Sequence, residues 1–168
     1  GYDATLHSTI NQYKEKYQDV FAYAKYIVVV STKMKDDLIK LGCPLEKIVL
    51  SYCGPDNSFF KAVPLFNSSQ FVSVGRFVDK KAPYLSLAAF KNVVVKFPEA
   101  RLVMIGDGIL VSTCKNLAKL WKIDKNVDFV GIKNPSEIFK IFEDSIAFVQ
   151  HSVIADNGDS EGTPVAVL

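Results

Sequence analysis

The chain has 168 residues, 49% of them hydrophobic and 23% charged, with a formal net charge of +2. That balance excludes a disordered chain and leaves no basic footprint for nucleic acid, while the length suits one domain or parts of two. The longest apolar runs, residues 26–30 and 102–105, are far too short to span a membrane, and Cys43, Cys53 and Cys114 have neither metal-binding nor disulfide spacing, so the chain reads as cytoplasmic with reduced thiols.

Residues 26–30 (YIVVV) form a compact β-branched run that predicts a buried strand. Ser31 or Thr32 then caps a helix with Met34, Leu38 and Leu41 on one face, and Gly42 and Pro44 stop it. Residues 47–52 (KIVLSY) predict the next strand. Residues 54–69 carry Pro55, Asn57, Pro64, Asn67 and three serines without a period, which predicts a linker. Beyond it the pattern becomes regular: strand 71–74, helix 83–97 with Leu87, Phe90, Val94 and Phe97 inward, and strand 101–105. Helix 110–122 follows with Leu110, Cys114, Leu117 and Trp121 inward, then strand 127–130, a helix opened by Asn134, and strand 146–150. Asn134, Pro135 and Glu137 have the spacing of a capping box with Pro at the first helical position. Alternation of this kind predicts an α/β fold with a parallel sheet covered on both faces.

Ligands of open α/β sheets bind beyond the carboxyl ends of the strands, so the loops there are the candidates. The loop 75–81 (GRFVDKK) offers Gly75 for close backbone approach, Arg76 as a planar fork and a lysine as a point charge, a set suited to a diphosphate. Gly106, Asp107 and Gly108 begin like a dinucleotide fingerprint, but Val111 stands where a third glycine belongs, which argues against a dehydrogenase. Gly131, Ile132 and Lys133 form a turn that can pass along a base ring. The segment 151–164 (HSVIADNGDSEGTP) is polar and flexible; Glu161 can orient a hydroxyl, and the amides of Gly162, Thr163 and Val165 can face an anion. Each loop has a plain alternative as a solvated turn. His7 and His151 do not read as catalytic bases, and neither a nucleophile elbow nor a Walker lysine loop occurs.

GRFVDKK, IGDG (residues 105–108), FVG (residues 129–131) and DSEGTPVAVL (residues 159–168) together resemble, in order and spacing, the motifs of glycosyltransferase family 4. Residues 28–50 resemble the end of that family's N-terminal domain. Gly54, Asp56 and Phe60 are similar to its entry to the linker, with Pro55 in place of Val, and Gly1-Tyr2-Asp3 resembles a loop lacking its leading His. The resemblance implies Rossmann-type parallel sheet layers of the GT-B fold, truncated at both ends. Residues 1–54 would close the acceptor-side domain, 55–69 would be the interdomain linker, and 70–168 would form part of the donor domain.

It further implies a retaining enzyme that takes a nucleotide-sugar donor and a saccharide or lipid-linked acceptor, as in surface-polysaccharide assembly. No metal or other cofactor and no nucleic acid would be needed, and peripheral membrane contact would come through the rest of the protein. Arg76 and Lys81 would hold the diphosphate, and Glu161 would be the first acid of a Glu-x7-Glu motif on the donor sugar. Gly75, Gly106, Asp107, Gly131, Ile132, Lys133, Gly162 and Thr163 would line the nucleotide and sugar-phosphate. Ala82 stands where the family has Gly. The start at Gly1 and the stop at Leu168, one residue before the second glutamate would fall, are expected of a piece of a longer protein that is inactive alone. A nucleotide-binding module without catalysis is the alternative reading.

Overall fold

The computed structural model describes residues 2–55, 57–61, 63 and 66–167. The expectations placed on Gly1, Asp56 and Leu168 lie outside the described residues. The chain divides into two compact units, one of residues 2–54 with 153–166 and one of residues 55–152, the latter less those not described.

The first unit is built from α1 (Tyr2–Thr5), α2 (His7–Tyr23), β1 (Ile27–Val29), α3 (Thr32–Lys40) and β2 (Ile48–Leu50). The two strands pair in parallel, Val28 opposite Val49, with α3 as their crossover. Ser31 is the cap of α3, its hydroxyl accepting from the Met34 amide at 3.1 Å. Phe21, Val29, Leu38 and Cys43 make the buried cluster, with Met34, Leu41 and Ile48 packed on it.

The sequence reading groups residues 153–166 with the segment before them. In the structure they pack with the first unit: the His7 amide donates to the Asn157 carbonyl at 3.0 Å, and the Thr163 hydroxyl donates to the Val30 carbonyl at 2.8 Å. The flexible surface loop expected there is a folded turn, because Asp159 and Ser160 are buried and the Ala155 amide bonds the Asp159 carbonyl at 2.9 Å.

The second unit holds β3 (Gln70–Val74), α4 (Pro83–Lys96), β4 (Arg101–Ile105), α5 (Val111–Leu120), β5 (Val127–Gly131), α6 (Pro135–Glu143) and β6 (Ala147–Phe148). All four strands are parallel, in the order β5-β4-β3-β6. Strand alternation sends Leu102 and Met104 to one face, where Leu87, Phe90, Cys114 and Ala118 cover them. Val103 and Ile105 go to the other face, with Val72, Ile138, Ile141 and Phe142.

Several details depart from expectation. In the first unit, Tyr26 and Val28 of the strand expected to be buried are exposed. Helix α4 ends at Lys96, so Phe97 is its C-cap and is exposed rather than inward. Strand β6 keeps only two laddered residues, although the Ile146 and Val149 amides continue the pairing to the Gln70 and Val72 carbonyls at 2.8 Å each. The expected linker contains a 3-10 turn, Asn57–Lys61, whose Phe59 ring packs edge-on against Phe139 and Phe142 at 5.9 and 6.1 Å.

Candidate functional site

The strand order contains a switch point. From β3 the chain moves outward through β4 to β5, then returns to place β6 on the other side of β3. Crossovers leave β3 in opposite directions there, which opens a crevice at the carboxyl ends of β3 and β6. The residues leaving those two strands line a small cleft: Ser73, Val74, Gly75, Arg76, Phe77, Lys81, Pro83, Met104, Gln150 and His151.

The wall of the cleft is held by three loops zipped edge to edge. The Gly75 amide bonds the Ile105 carbonyl at 2.9 Å, the Phe77 amide bonds the Asp107 carbonyl at 2.9 Å, and the Gly106 amide bonds the Gly131 carbonyl at 2.8 Å. Gly106 and Gly108 have φ of 131° and 150°, and a methyl group on either would drive into the backbone of Gly75 or Phe77. The Gly-x-Gly of β4 therefore serves close loop packing. Phe77 is 2% exposed and packs on Phe129 with ring centres 6.1 Å apart, which anchors the loop and leaves its neighbour Arg76 at the surface.

The 3-10 turn Asp79–Lys81 then separates two lysines. Lys80 is buried, while the half-buried Lys81 lies with its stem over Gly75 and lines the cleft. Ala82 follows with φ 40° and no exposed surface, a left-handed conformation that explains why the resembling family carries glycine there. Pro83 opens α4 beside the cleft, so the positive end of the helix adds to the field of Arg76 and Lys81. No Asp or Glu is among the described residues that line it. The cleft is thus a cationic pocket with polar Gln150 and His151 on its far wall.

The remaining candidates are dispersed. Asp107 is exposed, its carboxylate accepting from the Gly108 amide at 2.8 Å. Gly131 reaches the cluster through its carbonyl, Ile132 is exposed, and the Lys133 ammonium is held by Glu137 at 3.0 Å. Glu137 also accepts from the Asn134 amide at 3.0 Å, and these bonds hold its carboxyl below the usual range, the backbone bond first. Glu161, Gly162 and Thr163 belong to the first unit, where Glu161 is half-buried and Gly162 passes near the Ser31 side chain. Gln150 and His151 are the cleft residues that reading single loops passes over. Their signal is positional, since they follow the strand that pairs with β3.

Residues 56–168 match the family described as glycosyl transferases group 1. The chain belongs to that family. Across its whole length it is 27% identical to a putative colanic acid biosynthesis glycosyltransferase, WcaL, of Escherichia coli. It is also 26% identical to the amylovoran biosynthesis glycosyltransferase AmsK of Erwinia amylovora, again over the whole chain. The chain spans 42% of the length of each of these relatives. Among solved structures, Anabaena HepE in complex with UDP superimposes with a TM-score of 0.71 at 14% identity, over 89% of this chain and 45% of that one. TarM gives 0.66 at 18% identity, over 82% of this chain and 28% of that one. The fold of this group 1 member is therefore the parallel α/β architecture of GT-B glycosyltransferases.

Proposed function

We propose that the complete protein transfers a sugar from a nucleotide-sugar donor to a saccharide or lipid-linked acceptor, with retention of anomeric configuration, during assembly of a surface polysaccharide. The observation that carries this reading is the switch-point cleft, with Arg76 and Lys81 on its wall. The names of the colanic acid and amylovoran relatives support the pathway class, and HepE structures with UDP and with UDP-glucose support the ligand class.

In this reading the guanidinium of Arg76 forks onto diphosphate oxygens and Lys81 supplies a point charge. When the bond from the anomeric carbon to phosphate oxygen breaks, negative charge builds on the departing nucleotide, and these two cations stabilise it without a metal. Gly75 lets the backbone approach the phosphates. Gly106 and Asp107, with Gly131, Ile132 and Lys133, flank the nucleoside. Glu161 is assigned to the donor sugar, and the amides of Gly162 and Thr163 to its phosphate, on the likeness of their loop to the family motif.

No helix among the described residues is long and apolar enough to cross a membrane. We place the protein in the cytoplasm, touching the membrane peripherally through other parts of the protein. Residues 1–168 alone are proposed to transfer nothing, because they span 42% of the relatives.

The test is a panel of nucleotide sugars offered to the complete protein with saccharide acceptors, the product's anomeric configuration being read by NMR. Transfer with retention is expected. Nucleotide binding without transfer would favour a non-catalytic module, transfer with inversion would remove the retaining mechanism, and no binding would remove the donor reading.

A further inference from the structure

Gln150, a residue of the far wall of the cleft, has a side-chain polar atom with no explained role. Gln150 follows β6, and its Oε1 is buried without a hydrogen-bond partner among the described residues. Its Nε2 donates to the Ser152 hydroxyl at 3.4 Å, which turns the amide so that the carbonyl end is the orphan. A buried carbonyl without a donor is costly, and such groups in native proteins are usually explained by a ligand or a water.

The surrounding chemistry restricts the ligand group. Arg76 and Lys81 draw phosphate to this cleft, but at neutral pH the phosphate oxygens of a nucleotide-sugar diphosphate carry no proton for Oε1 to accept. The sugar and ribose hydroxyls of the same ligand can donate, and they adjoin the diphosphate that the two cations attract. We propose that Gln150 is a specificity residue, whose Oε1 accepts a hydrogen bond from a hydroxyl of the donor's sugar or ribose. This inference rests on the donor reading above and adds a residue that reads the ligand's hydroxyl pattern. A site built to bond a hydroxyl rejects the analogue that lacks it more sharply than an apolar pocket rejects an extra group.

The experiment is calorimetric titration of the complete protein with UDP-glucose, UDP-N-acetylglucosamine, UDP-galactose and GDP-mannose, and with the matching diphosphates. The tightest binder is then offered to Gln150→Met, which keeps the bulk and removes the acceptor. An affinity loss of about tenfold is expected. Loss confined to the nucleotide sugar assigns the hydroxyl to the sugar, and equal loss for the diphosphate assigns it to the ribose. Full affinity for both would overturn the inference, with a water serving Oε1 instead. If Gln150→Met does not fold, singly deoxygenated forms of the donor are titrated against the unchanged protein. A similar loss for one form supports the inference, and uniform binding overturns it. Failure of the unchanged protein to bind any of the panel would overturn the donor reading together with it.

Discussion

Gly106 shows how one side chain, or its absence, holds the site wall together. Its φ of 131° and its approach to the Gly75 backbone leave no room for a methyl group. Gly106→Ala is expected to cost about 2–4 kcal/mol, seen as a fall in the urea midpoint. Ala82 is the opposite case, a residue with a side chain in a left-handed conformation and no exposed surface. Ala82→Val adds a branch where both backbone and packing forbid it, and should lower stability by about 2 kcal/mol or more in the same measurement. Burial also governs thiol reactivity. The Cys114 side chain is fully buried and its pKa is pushed up to about 11, whereas Cys53 is exposed. At pH 8 iodoacetamide should label Cys53 and spare Cys114 until urea unfolds the second unit, as mass spectrometry will show. Residue roles of this kind are only partly legible in sequence: GRFVDKK announces its cations, but nothing local says that Lys80 turns inward while Lys81 lines the cleft.

Among the elements, α6 is the most readable because its start is written in side chains. Asn134 accepts from the Glu137 amide at 3.0 Å, and Glu137 returns the bond to the Asn134 amide at 3.0 Å. Asn134→Ala should destabilise the second unit by about 1 kcal/mol. The pH dependence has a definite sign. Glu137 is held below its ordinary carboxyl range in the folded state, so its contribution is present above that range and is lost as pH falls through the lowered value. Acid titration of Glu137→Gln against the unchanged protein should show that this difference fades at low pH. Helix α2 is hard to read in the sequence for the opposite reason. Its cap position is Leu6, which provides no side-chain bond, and Phe21 is its one buried residue among those described. No stop signal marks its end, although Ile10, Tyr13, Tyr17 and Phe21 recur at helical spacing. Ala118 on α5 is equally hard to read because a small residue adds little to a stripe, although it is 1% exposed in the cluster with Leu102 and Met104.

At the scale of the whole molecule, the alternation of strands and helices was legible and the strand order was not. The return from β5 to β6 is a crossover, and no local pattern shows on which side of β3 the next strand will lie. That topology is what brings Gln150 and His151 opposite Arg76 and Lys81, and so what turns a basic loop into a pocket. The compact units likewise depend on contacts distant in sequence, such as Thr163 to Val30, which place residues 153–166 with the first unit.

The proposed role of Arg76 and Lys81 is to stabilise the departing nucleotide. It is tested most directly by the rate of sugar transfer by the complete protein with Arg76 and Lys81 both changed to Ala. A fall of at least about 100-fold at saturating donor is expected, the scale set by removal of a group that stabilises developing charge. Transfer at the unchanged rate would contradict it.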